Sequence, residues 1–303
     1  MTKIIYTGIA DEAGAEIDVQ IKATRELGWQ YLETRKIGSS ELSALSDEEF
    51  ENCARKLSAT GIKISCYSSD IANWGKDPFK EDDFSAGKNA LIKSFPRLRK
   101  LGAACIRGMS FAMQKNLKPD DAELEKITIK KVGELAELCG DNGIIYMHEN
   151  CMNWGGQSWE HSLKLAEKIK SPFFKLLFDT GNPVMTDDRR GKTPYKKQSS
   201  WEFYYNIRDF IAYIHIKDGI FLEESEGVFP KAKYTFPGEG HGDVKKILAD
   251  LISRGYEGFV SIEPHMSKVF HESGSEFSAD LQYKGYIEYG KKLMHLINEL
   301  KKS

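Results

Sequence analysis

The stretch Ile144-Ile145-Tyr146-Met147-His148-Glu149-Asn150 is a short apolar run that ends in an acid. After the amphipathic segment Ser158–Ile169 the pattern returns as Phe174-Lys175-Leu176-Leu177-Phe178-Asp179. Two β-rich runs separated by a helical period form a strand–helix–strand unit with parallel strands. Worked outward, the same alternation covers the chain. Strands are expected at Ile4–Ala10, Tyr31–Arg35, Lys63–Ser68, Cys105–Phe111, Ile144–Asn150, Phe174–Asp179, Ala212–Lys217 and Gly258–Glu263. Helices are expected at Ala15–Leu27, Asp47–Thr60, Ser85–Leu101, Asp120–Asn142, Ser158–Ile169, Ser200–Arg208, Val244–Arg254 and Leu281–Leu300. Gly28, Gly61, Gly102, Gly143 and Gly255 stand where a helix should stop before a strand. Pro119-Asp120 and Gly242-Asp243 carry helix-opening signals. Eight such units predict an α/β fold, a (β/α)8 TIM barrel, as one domain over residues 1–303. A doubly wound open sheet is the weaker alternative, because no strand leads into Gly-x-Gly-x-x-Gly or a P-loop.

The 303 residues are 41% hydrophobic and 29% charged, enough to bury a large core. Lys and Arg number 43 against 45 Asp and Glu, a formal charge of -2 that argues against a nucleic-acid partner. No apolar run reaches the ~18 residues of a membrane span. Asp11 and Glu12 interrupt the first apolar run and no cleavage pattern follows, which argues against a secretory signal. Five cysteines without a Cys-x-x-Cys pair are expected as buried free thiols in a reducing, cytoplasmic compartment.

In a barrel the reactive side chains sit at the C-terminal strand ends. There the sequence places Glu149 on the fifth strand, Asp179 on the sixth, His215 on the seventh and Glu263 on the eighth. By subtraction their separations are 30, 36 and 48 residues, about one unit each, with an insertion between Gly219 and Gly240 lengthening the last. Adjacent strands lie ~4.8 Å apart, so the four groups can converge on one point. Three carboxylates in a low-dielectric mouth repel one another, and a divalent cation removes the conflict. Three oxygen donors and one imidazole suit one divalent ion: Mn2+ first, with Mg2+, Co2+ or Zn2+ open.

With these residues the sequence resembles the xylose isomerase-like TIM-barrel superfamily, in particular the sugar phosphate isomerase/epimerase group related to D-tagatose 3-epimerase. The likeness runs from Leu27-Gly28-Trp29-Gln30-Tyr31-Leu32-Glu33 to Gly258-Phe259-Val260-Ser261-Ile262-Glu263, and includes the Pro237-Gly238-Glu239-Gly240 turn. The resemblance implies that Glu149, Asp179, His215 and Glu263 are the metal ligands. Many ketose 3-epimerases carry a histidine where this chain has Asn182, and an arginine where it has Phe221. A more distant likeness to the endonuclease IV fold lacks the histidine-rich multi-metal cluster of that enzyme.

The expected activity is a metal-dependent isomerase or epimerase of a sugar or sugar derivative. The ion would hold a carbonyl and a neighbouring hydroxyl oxygen, while Glu149 and Glu263 move a proton through an enediolate. The alternative is a lyase or dehydratase acting on a keto-inositol or 3-keto sugar at the same site. A sugar-binding protein without turnover is the reading from another class. A small sugar or polyol is the expected partner, with a homo-oligomer left open. Glu33, Arg107, Asn182, Lys217 and His265 are candidate substrate-binding residues. Glu33 and Arg107 could equally pair with each other or with neighbours, and Lys217 with Asp179 or Glu149. His265 shares the face of Glu263 only if the strand runs past Pro264. His148 has the opposite parity and is expected to pack against the helices. Tyr67, Trp74, Trp154 and Phe111 could stack on a sugar or pack locally. The charge run Asp187–Lys192 with Lys196-Lys197 could grip a phosphate but is expected as a solvated loop. The turn around Glu239 precedes a helix N-terminus where an anion could bind, but it is expected to be structural.

Overall fold

A computed structural model describes residues 3–114, 116–226, 230–265 and 278–302. Eight parallel strands form one sheet: β1 (Ile4–Gly8), β2 (Tyr31–Thr34), β3 (Lys63–Ser68), β4 (Cys105–Gly108), β5 (Ile145–Glu149), β6 (Phe174–Asp179), β7 (Ile211–Ile216) and β8 (Gly258–Ile262). From β2 to β8 each strand pairs with the next in sequence, and β1 pairs with β8 in parallel register. The seam between β1 and β2 is closed by a single parallel bridge, Ile9 to Glu33. The helices are α1 (Ile17–Glu26), α2 (Asp47–Thr60), α3 (Glu81–Leu101), α4 (Ala122–Gly140), α5 (Trp159–Lys168), α6 (Ser200–Ile207), α7 (Val244–Ser253) and α8 (Ala279–Leu300). This is the (β/α)8 barrel that the alternation predicts.

Strand parity sorts the core into two clusters. Tyr146, Leu176, Phe178, Ile214, Ile216, Val260 and Ile262 belong to the large cluster shared with the helices. Cys105, Met147, Leu177 and Tyr213, one residue out of phase, join Cys66 in a second, smaller cluster. Glu149, Asp179 and His215 continue this second phase, each two residues on from a member of the small cluster.

The five helix-stopping glycines all have positive φ, between 66° and 72°, the left-handed conformation that ends a helix without a Cβ penalty. Two helix starts differ from expectation. The α4 cap is Asp121, whose carboxylate accepts from the N–H groups of Glu123 and Leu124. Asp243 precedes α7 but has φ 52° and makes no cap bond. Its carboxylate accepts from the Trp201 N–H instead, at 3.2 Å. The insertion after β7 is an antiparallel hairpin, Asp218–Glu223 with Lys231–Thr235. All five cysteines are free and buried. No helix among the described residues is long and apolar enough to cross a membrane.

Candidate active site

Glu149 and Asp179 close β5 and β6, His215 is the penultimate residue of β7, and Glu263 follows β8. Register aligns them, with His215 opposite Asp179 on one side and Ser261 on the other. All four are buried, and each offers one ligand atom within 4.8 Å of the others. His215 Nδ1 lies 3.4 Å from both Glu149 Oε1 and Glu263 Oε2. His215 Nδ1 is buried without a hydrogen bond of good geometry, and Asp179 Oδ2 faces the Lys217 ammonium at 3.1 Å. An imidazole nitrogen and carboxylate oxygens that converge in this way fit a divalent cation with oxygen and imidazole donors.

The side chains of this cluster are also held from behind. Asp179 Oδ1 accepts from the Gly181 and Asn182 N–H groups at 2.8 and 2.7 Å, which turns Oδ2 inward. Asn150 clamps the Asp179 backbone through both its N–H and its carbonyl. Arg107 donates to Glu149 Oε2 at 2.9 Å and to the Ser69 carbonyl at 3.1 Å. Burial opposes the charge on Glu149, yet Arg107 and His215 outweigh it and bring its pKa down to about 2. Asp179 goes the other way: burial first, then Glu263 and Glu149, push it up to about 7 despite Lys217.

The expectation for Glu33 needs correction. It is 0% exposed and lies beneath the site rather than on the cavity wall. Its Oε1 faces His215 Nε2 at 3.0 Å and accepts from Ser68, while Oε2 accepts from Tyr213 at 2.8 Å and Ser261 at 2.6 Å. The physical reason is the seam: the bridge to Ile9 draws Glu33 under β1 and across to β7. A carboxylate on Nε2 fixes the imidazole so that Nδ1 faces the cluster.

The other candidates line one cavity of about 430 Å³, within the usual range for a small ligand. Arg107 pairs with Glu149, not Glu33. Lys217 Nζ lies 3.1 Å from both Asp179 Oδ2 and Glu263 Oε2. Asn182 Nδ2 donates to Glu149 Oε1 at 3.3 Å. The strand does not run past Pro264, yet His265 still reaches the cavity, because its backbone turns through φ 51°. Its N–H donates to Glu12 Oε2 at 2.6 Å, its Nδ1 lies 2.9 Å from Glu12 Oε1, and its Nε2 lies 3.3 Å from Glu263 Oε1.

Of the four loop aromatics, Trp74 borders the cavity, whereas Trp154 and Phe111 are packed in the core. Tyr67 is also buried and donates to Glu41. His148 packs on the outer face, its Nε2 3.0 Å from the Ser110 hydroxyl. Phe221 sits on the hairpin under Lys197. The charge run pairs with itself and with Glu202. In the Gly238–Gly242 turn the anion is the chain's own Asp218, whose carboxylate accepts from the N–H groups of Gly219, Gly238, Gly240 and Gly242.

Sequence reading missed Asp11, Glu12, Arg35 and Tyr234, all on the cavity wall. Arg35 carried a signal, since it lies two residues past Glu33. The Asp11-Glu12 pair directly after the first strand carried another.

The family model for the xylose isomerase-like TIM barrel matches residues 21–285. An inosose dehydratase of Bacillus licheniformis is 24% identical over 156 residues, 47% of this chain and 47% of that protein. The chain thus covers about half the length of the first curated relatives it matches. An inosose dehydratase of Salmonella typhimurium is 21% identical over 288 residues, 86% of this chain and 89% of that one. Two solved structures share the fold. One is the D-allulose 3-epimerase from Methylomonas sp. in complex with D-allulose, with TM-score 0.68 and 16% identity over 97% of this chain and 98% of that one. The other is a xylose isomerase-like TIM barrel protein from Mycobacterium smegmatis in complex with magnesium, with TM-score 0.67 and 16% identity over 99% and 98%.

Proposed function

The chain belongs to the xylose isomerase-like TIM barrel family, and on that premise we propose that it is a divalent-metal-dependent sugar or polyol isomerase or epimerase. Glu149, Asp179, His215 and Glu263 would hold the ion, with Mn2+ the first candidate. Once bound, the ion supplies Lewis acidity to a substrate carbonyl and its neighbouring hydroxyl.

One observation carries this reading. The strands of Glu149 and Glu263 flank those of Asp179 and His215, and each glutamate turns one oxygen toward His215 Nδ1 while a cation or imidazole approaches its other. Arg107 holds Oε2 of Glu149 at 2.9 Å. Arg35 at 3.6 Å and His265 at 3.3 Å approach Oε1 of Glu263. Two oriented carboxylates on opposite sides suit removal of a proton from the carbon next to a carbonyl and its return at another face or carbon. Lys217 and Asn182 are placed to orient substrate oxygens.

The second reading, loss of a β-hydroxyl as water, is favoured by an asymmetry. Lys217 and His265 crowd Glu263 and not Glu149. A donor on one side only can protonate a departing hydroxyl after the opposite carboxylate has taken the C–H proton. The inosose dehydratase relatives support the same alternative.

Proton NMR in D2O with ketoses and inososes, together with the enone ultraviolet band, separates the two. Solvent deuterium at carbon without enone supports isomerisation, and enone supports dehydration. Glu149→Gln and Glu263→Gln should keep metal, more weakly, but lose exchange by ~10²–10⁴-fold. Turnover within about tenfold of the unaltered protein in both variants would rule out acid–base roles.

A further inference from the structure

Among the described residues the cavity wall carries three permanent cations, Arg35, Arg107 and Lys217, and each pairs with acids. Arg35 places Nε 3.0 Å from Asp11 Oδ2, Nη2 3.4 Å from Glu12 Oε1 and Nη1 3.6 Å from Glu263 Oε1. Arg107 is taken by Glu149 and the Ser69 carbonyl. Lys217 is shared by Asp179 and Glu263. Against these three stand six carboxylates on the cavity wall or in the cluster beneath it: Asp11, Glu12, Asp70, Glu149, Asp179 and Glu263.

Three of those acids are explained by the ion. Asp11 and Glu12 lie outside the four-residue cluster: Asp11 sits on Arg35, and Glu12 lies between Arg35 and His265. An anionic substrate group is usually taken by an arginine whose fork is open. Among the described residues, the arginine on that wall other than Arg107 is Arg35, and two acids from the turn after β1 pair with it. Among the described residues, a phosphate or carboxylate entering the cavity would meet cations already paired with acids, a repulsive arrangement of the kind that sets specificity.

We infer that Asp11 and Glu12 are specificity-determining residues that close Arg35 to anions, and that the substrate is an uncharged polyol ketone carrying neither phosphate nor carboxylate. This rests on the proposed enolising site and narrows its substrate class.

The test uses the Mn2+-loaded full-length protein and calorimetric titration of matched pairs: D-tagatose against D-tagatose 6-phosphate, and D-ribulose against D-ribulose 5-phosphate. In at least one pair the neutral sugar should bind tenfold tighter or better. Asp11→Asn, which keeps the side-chain shape, should narrow that preference by about tenfold, the order expected for one unit charge at this range. Glu12→Gln should act in the same direction, and Asp11→Glu should restore the preference. Thermal melts check that each variant folds, and Glu12→Gln stands in if Asp11→Asn does not. Three results overturn the inference: in both pairs the phosphate ester binding as tightly as its neutral partner, no neutral sugar binding at all, or undiminished discrimination in both Asp11→Asn and Glu12→Gln. Solvent exchange keeps the parent reading separate. Deuterium entering a phosphorylated ketose would refute the charge argument and leave enolisation standing, whereas tight neutral binding without exchange would do the reverse.

Discussion

Glu33→Gln isolates a residue that touches neither the cavity nor the four convergent ligand atoms directly. Glu33 faces His215 Nε2 and accepts from three hydroxyls, those of Ser68, Tyr213 and Ser261. It is held ionised because His215, Ser261 and Ser68 together outweigh the opposing effect of burial. Glutamine keeps the length but has one accepting oxygen and an amide that can only donate. At least one of the surrounding donors then loses its partner, which costs about 1–3 kcal/mol of folding stability for a buried group. His215 also loses the anion that fixes its tautomer. Replacing a partner of this kind typically weakens metal binding 10–100-fold, or about 1.4–2.7 kcal/mol. The assay is calorimetric titration of Mn2+ into protein stripped with a chelator, alongside urea unfolding of the metal-free forms. The expected result is a Kd raised 10–100-fold with unchanged stoichiometry. A Kd within about threefold of the unaltered protein would refute the orienting role of Glu33, whatever happens to stability.

Metal uptake should weaken on acidification. Burial pushes the His215 pKa down, but Glu33, Glu149 and Glu263 outweigh it and hold it well above the ordinary value, while Asp179 sits at about 7. Both must shed a proton to coordinate, so Mn2+ affinity should fall tenfold or more per unit below about pH 7; a flat profile from about pH 6 to 8 refutes this. In the metal-free protein the sign for His215 reverses. Its raised pKa contributes stability that is fully present below the unfolded value of about 6.5 and is lost as pH rises through the folded value, which chemical denaturation across pH can follow. Asp179→Ala and His215→Ala should lose the ion and all turnover yet unfold cooperatively, since they sit at the catalytic face; loss of a cooperative transition in both would mark them as structural anchors. Asp218→Ala should be the more damaging change to the fold, because four N–H groups lose one acceptor. A loss of at least ~2 kcal/mol is expected in urea titrations, and a loss under ~0.5 kcal/mol would show that water replaces the carboxylate.

The sequence by itself determined the barrel and the four convergent side chains, because both follow from local rules. Strand and helix periods are properties of a few consecutive residues, and parity settles which strand-end residue faces the mouth. Glu149, Asp179 and His215 were legible for that reason, and Glu263, one residue past β8, was reachable by the same count. What only the tertiary structure decided lies where distant segments meet. The place of Glu33 depends on the closure between β1 and β2, a single bridge that no periodicity encodes. His265 reaches the cavity through a left-handed turn that Glu12, 253 residues away in sequence, holds in place. The partners of Arg35 and the position of Tyr234 depend on how the turn after β1 and the hairpin after β7 settle over the mouth. Loop conformations are set by long-range hydrogen bonds and charge pairs rather than by residue period, so a linear reading finds the four convergent side chains and misses the acids that surround them.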